Sequence, residues 1–260
     1  MLKNKSALIT GSTSGIGLGL ARALAQAGAN VMLNGFGDAA EIEKIRGALA
    51  AETGVRVLYH AADVSRAADV AALVAATEQA FGTVDILVNN AGIQFVSPVE
   101  DFPGDRWDAI QDIVLNSSFH AIKAALPGMK RRNWGRLINL VSVHGLVASP
   151  FKAAYVAAKH GQIGLTKTVA LELAETGITC NAVCPGYVLT PLVEGQIASQ
   201  AQAHGLPRDR VIREVILAAQ PSKRFVEIED VAALIVFLCS ESAKSITGSA
   251  IPIDGGWTAR

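Results

Sequence analysis

Cysteine, aromatic rings and net charge are all scarce in this sequence, and each scarcity removes a class of protein. Three cysteines (Cys180, Cys184 and Cys239) among 260 residues are too few for a disulfide framework. Cys180 and Cys184 are expected to share a strand, where four residues span about 13 Å, far beyond disulfide reach. All three are therefore expected to be reduced and buried; no metal-ligand cluster accompanies them, and no metal is predicted. The 23 basic and 23 acidic side chains cancel, which leaves no electrostatic footprint for nucleic acid or an anionic membrane surface. No apolar run reaches the ~18 residues of a membrane span. The N-terminus, Met1 to Lys5, runs straight into a strand, so no signal peptide is expected. These absences predict a cytoplasmic protein with no nucleic-acid or membrane partner.

What is present is apolar and alternating. Half of the residues are hydrophobic, and the length suits one large α/β domain over residues 1–260 or two small ones. Ser6 to Thr10 reads as a strand, followed by Gly11-Ser12-Thr13-Ser14-Gly15-Ile16-Gly17, a helix over 18–27 closed by Gly28, and a strand over 30–34. Strand, glycine-rich turn, helix and strand within ~30 residues form a right-handed βαβ unit. Glycines there let the backbone approach a pyrophosphate, while the helix N-terminus offers N–H donors. The spacing G-x-x-x-G-x-G is not the commoner G-x-G-x-x-G, and a structural glycine turn is the alternative. No arginine follows the second strand at Gly35-Phe36-Gly37-Asp38, which favours NAD over NADP.

The alternation continues with helices predicted over 38–53, 67–81, 106–131 and 229–239, and strands over 55–60, 84–88, 137–141, 178–183 and 250–253. Pro150 is placed to open the helix carrying Tyr155. The more polar stretch 189–225 reads as a helical lid. The predicted fold is α/β: a single Rossmann-type, doubly wound parallel sheet of about seven strands with helices on both faces. Asn89 and Asn90 end a strand and are expected mainly to tie neighbouring strands together.

Tyr155 and Lys159 lie one turn apart on one helix face. A phenol with a pKa near 10 is a poor base at neutral pH, and an adjacent ammonium favours its phenolate. Taken alone, the pair reads more readily as a packed ring beside a lysine that snorkels to solvent.

The ordered set Thr10-Gly11-x-x-x-Gly15-Ile16-Gly17, Asn89-Asn90-Ala91-Gly92, Ser142, Tyr155-x-x-x-Lys159 and Pro185-Gly186 resembles the short-chain dehydrogenase/reductase family over the whole chain. The resemblance implies that Tyr155 is the acid/base, that Ser142 steadies the carbonyl or alkoxide oxygen, and that Lys159 holds the nicotinamide ribose and lowers the tyrosine pKa. It implies an NAD cleft formed by Gly11, Thr13, Gly15, Ile16, Gly17, Phe36, Asp63, Val64, Asn90, Gly92, Leu115, Tyr155, Lys159, Pro185, Gly186, Val188 and Thr190. Within the family, Asn34 to Asp38, Ala91 to Gln94, His144 to Ser149, Thr190 to Val193 and Gly255 to Arg260 resemble the bacterial D-3-hydroxybutyrate dehydrogenase branch. That resemblance implies a small-molecule 3-hydroxy acid substrate, oxidised reversibly to its 3-keto acid, at Gln94, Ser142, His144, Lys152, Tyr155, Tyr187, Gln196 and Trp257. It also implies a homotetramer. A 3-oxoacyl thioester reductase and a non-catalytic nucleotide-binding relative are the competing readings. One departure stands out: the family's asparagine on the helix before Ser142, whose carbonyl holds a water leading to the lysine, aligns with Val114.

Overall fold

Short runs of aliphatic residues with no charged alternation make strands that are buried on both sides, as a parallel sheet requires. The computed structural model describes residues 1–259; the side chains at 191, 192, 196, 199, 203 and 204 lie outside the description. Seven strands form one sheet: β1 (Ser6–Ile9), β2 (Asn30–Asn34), β3 (Val57–His60), β4 (Ile86–Asn89), β5 (Gly135–Leu140), β6 (Ile178–Pro185) and β7 (Ala250–Ile253). Their spatial order is β3-β2-β1-β4-β5-β6-β7, and every pairing is parallel. The order reverses beside β1, so the carboxyl ends of β1 and β4 diverge and leave a crevice there. At the far edge, β7 pairs only with β6, with Pro252 opposite Cys184.

Helices cover both faces, as expected of a doubly wound sheet. One layer packs α1 (Gly15–Gln26), α2 (Ala39–Thr53) and α9 (Ile228–Leu238) through Leu20, Leu24, Leu49, Val231 and Ile235. The other packs α3 (Ala67–Phe81), α5 (Ser117–Arg132) and α6 (Ala153–Glu172) through Val70, Leu73, Ala121, Ile122 and Val169. Cys180, Cys184 and Cys239 are free and buried, the first two on β6.

Three local expectations change. The helix predicted over 106–131 is α4 (Gly104–Ile110), a π-helical stretch over Gln111–Asn116, and then α5. The wider turns are tied to the neighbouring helix by Gln111, whose side-chain amide donates to the Ala154 carbonyl at 2.9 Å. Pro150 does not open α6, because Phe151 adopts a left-handed φ of 66° and the helix starts two residues later, with Lys152 as its N-cap. Asp38 lies just before α2 rather than in it. Its carboxylate accepts from the N–H groups of Ala40 and Glu41, a capping role that occupies the acid nearest the second strand. The segment read as a lid contains α7 (Pro191–His204), α8 (Arg208–Val211) and a π-helical turn, Ile212–Ile216.

Candidate active site

The crevice beside β1 is one end of a cavity of about 500 Å³ that runs over the carboxyl ends of β4, β5 and β6. Its floor at this end is backbone. Gly11 and Gly15 take left-handed φ values of 62° and 53°, which glycine adopts without the steric cost of a side chain. A Cβ on Gly17 would run into the Gly11 carbonyl and the Asn90 amide. Above Gly15 the nearest heavy atom to an added Cβ is a Thr190 methyl at 4.0 Å, so nothing crowds that face. Asn90 donates to the carbonyls of Thr10 and Gly11, both at 2.8 Å, and Asn89 donates to Asn139 at 2.8 Å. Both asparagines thus tie strands together, as expected. Glycine backbone at a helix N-terminus, open on one side and fixed on the other, fits a dinucleotide pyrophosphate.

The opposite end is made of side chains. β5 leads into Ser142 and a single 3₁₀ turn, Val143–Gly145, that carries His144. α6 presents Tyr155 and Lys159 to the same space. His144 lies edge-on to Tyr155 and to Trp257, with centroids 6.0 and 5.6 Å apart, and Tyr187 stacks on Trp257 at 5.8 Å. Trp257 is aimed there by the C-terminal turn, in which Asp254 accepts hydrogen bonds from Gly256 and Thr258. Lys152 reaches this aromatic corner, its Nζ 3.5 Å from the Tyr187 hydroxyl. Among the described residues neither Lys152 nor Lys159 is paired with a carboxylate, and no other lysine or arginine lines the cavity.

Burial sets the protonation states. It pushes His144 down to about 4, helped by the positive Lys152 and then His160, so the ring is neutral at pH 7. Its Nε2 is 2.8 Å from the Ser149 hydroxyl and its Nδ1 is 3.3 Å from the Ser142 hydroxyl. Burial also brings the Lys159 ammonium down to about 7, against a smaller opposing pull from Cys184. Tyr155 moves the other way from the expectation. Burial raises its phenol to about 12, with the Ser142 hydroxyl opposing and Tyr187 adding to the rise. A lysine half neutralised by its own desolvation cannot outweigh the desolvation of the phenolate in the free protein.

Of the catalytic, cofactor and substrate residues expected from the sequence whose side chains are described, all but Gly15 and Leu115 line this cavity. Gly15 shapes the turn without lining the cavity. Leu115 points elsewhere: its side chain packs over Gly161 of α6, and Ile113 lines the cleft instead. The Gln196 side chain lies outside the described residues. Ser149 was missed, because nothing in a serine five residues after His144 announces that it will hold the far ring nitrogen.

A family model described as enoyl-(acyl carrier protein) reductase, a short-chain dehydrogenase/reductase model, matches residues 11–258. The chain belongs to the short-chain dehydrogenase/reductase family. Among its family relatives, a D-beta-hydroxybutyrate dehydrogenase of Rhizobium meliloti is 56% identical over 98% of this chain and 99% of its own. One of the same name from Cupriavidus necator is 55% identical over the full length of both. A 3-oxoacyl-(acyl-carrier-protein) reductase of Staphylococcus epidermidis is 38% identical over 97% of this chain and 98% of its own. The crystal structure of a Sinorhizobium meliloti protein, named for the short-chain alcohol dehydrogenases, superposes with a TM-score of 0.88 at 35% identity. It covers 99% of this chain and 98% of that one. This short-chain dehydrogenase/reductase therefore matches the curated relatives over nearly their whole length and shares the fold of the solved structure.

Proposed function

We propose that this enzyme is an NAD-dependent D-3-hydroxybutyrate dehydrogenase, interconverting D-3-hydroxybutyrate and acetoacetate. The observation that carries the reading is Lys152, a lysine with no carboxylate partner among the described residues, at the Tyr187 corner of the cavity that Tyr155 and Ser142 also line. A four-carbon hydroxy acid has little apolar surface, so its orientation comes from a cation for the carboxylate and a few placed donors. Lys152 holds that carboxylate, Gln94 and neutral His144 direct it, and Tyr187 and Trp257 wall in the short carbon chain. The family resemblance adds Gln196, whose side chain lies outside the described residues, as a fourth polar group. The two full-length relatives of that name support the same substrate.

The substrate hydroxyl then sits between Ser142 and Tyr155. Ser142 hydrogen-bonds the oxygen as its charge changes, and Tyr155 accepts the hydroxyl proton in oxidation and returns it in reduction. Lys159, its Nζ 5.6 Å from the centre of the Tyr155 ring, is the cation that favours the phenolate once cofactor and substrate fill the cleft, against the desolvation that raises the phenol in the free protein. When bound, NAD supplies the hydride acceptor for C3. The glycine turn holds the pyrophosphate, and Phe36, Asp63, Val64 and Asn90 line the nucleotide end with no cation for a 2′-phosphate. α7 to the turn at 212–216 covers the substrate and excludes water.

The remaining expectations belong to the same proposal: one domain over 1–260, a cytoplasmic enzyme with no nucleic-acid or membrane partner, and a homotetramer. Exposed Phe119 on α5 and Leu171 on α6, with the free edge of β7, supply apolar surface for assembly through the long helices and the last strand. No helix among the described residues is long and apolar enough to cross a membrane.

The test is the appearance of NADH when D-3-hydroxybutyrate and NAD are supplied, with the L-enantiomer and NADP as comparisons. The 38% identical relatives favour a 3-oxoacyl thioester reductase as the second reading. No NADH from the hydroxy acid, together with turnover of a 3-oxoacyl thioester, would select it.

A further inference from the structure

Behind the cleft, α6 packs against α5 and the π-helical stretch, and a line of polar side chains runs through this buried layer. Gln162 and Ser118 are each only 1% exposed. Lys159 Nζ donates to the Leu140 carbonyl at 2.8 Å and to Gln162 Oε1 at 3.0 Å. Gln162 Nε2 donates to the Ser118 hydroxyl at 2.8 Å, and that hydroxyl donates to the Val114 carbonyl at 2.9 Å. Thr166 closes the layer by donating to the Gln162 carbonyl and accepting from Asn139. An amide buried with a partner missing costs roughly 1–3 kcal/mol, so a glutamine is stable here only because both ends of its side chain are bonded. Neither Gln162 nor Ser118 lines the cavity.

An ammonium has three hydrogens. Leu140 and Gln162 take two of them, which fixes the direction of the third. Val114 contributes only its carbonyl, while its side chain packs with Ile110, Ala154 and Ala158. We propose that Gln162, supported by Ser118, is a positioning residue for Lys159, holding the ammonium from within the core through side chains that end on the carbonyl of residue 114. This rests on the Ser142, Tyr155 and Lys159 reading above. It gives the valine at 114 a counterpart: the polar line to that carbonyl is built from the protein's own groups.

The other titratable groups around Lys159 are Tyr155 on its own helix and Cys184 on β6, pushed by burial to about 12 and about 11; Asp254 acts on Cys184. Lys159 is thus the one of the three that titrates near neutrality, and its Cε resonance can be followed by ¹³C NMR, assigned with Lys159→Met. In Gln162→Met, the loss of an acceptor disfavours the charged amine, so Lys159 titrates lower than in the wild type. The kcat for hydroxy acid oxidation falls about tenfold, KM stays within about twofold, and the rise of kcat with pH moves alkaline. Ser118→Ala moves all three readouts the same way by less, and it carries the test if Gln162→Met does not fold. Unchanged Lys159 titration and unchanged kcat in the folded variant, with Tyr155→Phe inactive, overturn the proposal. Turnover surviving in Tyr155→Phe removes the catalytic reading instead, a different failure that leaves the titration shift of Gln162→Met as expected.

Discussion

The two ends of the cavity are built from different material. At the glycine end, shape comes from backbone: left-handed turns at Gly11 and Gly15 and a Gly17 that leaves no room for a side chain. At the tyrosine end, it comes from side chains that no local rule places, with a neutral His144, a depressed Lys159 and an elevated Tyr155 packed among rings. The first end is set by what glycine permits within one βαβ unit. The second depends on how much water the whole fold excludes.

The sharpest break in that contrast is Tyr155→Phe. It should lower kcat about a thousandfold while NAD affinity, set mainly at the glycine end, stays near wild type by calorimetry. Lys152→Ala comes next: the KM for hydroxy acid should rise about ten- to a hundredfold with the cofactor KM little changed, in steady-state kinetics. Gly17→Ala attacks the other end. The added carbon meets the Gly11 carbonyl and the Asn90 amide, so stability should fall by about 1–3 kcal/mol in denaturant titration, and NAD binding should weaken with it. A Gly17→Ala protein of wild-type stability would show that the cradle is looser than its geometry.

The smallest effect is on pH. Lys159 titrates at about 7 when folded against an ordinary value of 10.5, so between those values the unfolded chain holds more protons and stability rises with pH. His144, at about 4 against 6.5, adds a loss of stability as pH falls through that lower range. Burial raises the thiols of Cys180, Cys184 and Cys239 from 9.0 to about 12, 11 and 12, and these oppose the lysine above pH 9. The clean window is therefore pH 7 to 9: Tm should climb there in the wild type and stay flat in Lys159→Met.

Legibility in the sequence follows the same division. Strands, the glycine turn and the tyrosine-lysine spacing could be read because each depends on neighbours within a few residues. The strand over 250–253 and the helix over 67–81 agree with the fold to the residue. The π-helical stretch at Gln111–Asn116 could not be read from its own residues; the contact that ties it down, from Gln111 to the Ala154 carbonyl, is to another helix. Gln162 and Ser118 are separated by 44 positions, and each alone reads as an ordinary polar residue on a helix. The tyrosine's direction of shift was missed for a related reason: sequence spacing shows the ammonium beside the ring but not the desolvation of both.

One feature of the sheet's rim bears on how copies of this chain meet. Ala182 donates to Ser249 and Gly186 donates to Ile253, so alternate residues of β7 face inward and Pro252 between them faces out. A proline has no N–H to offer. A second molecule approaching that border finds a gap in the row of donors and cannot simply prolong the ladder as a next parallel strand. The missing donor at Pro252 thus works against open-ended growth of the sheet from this border.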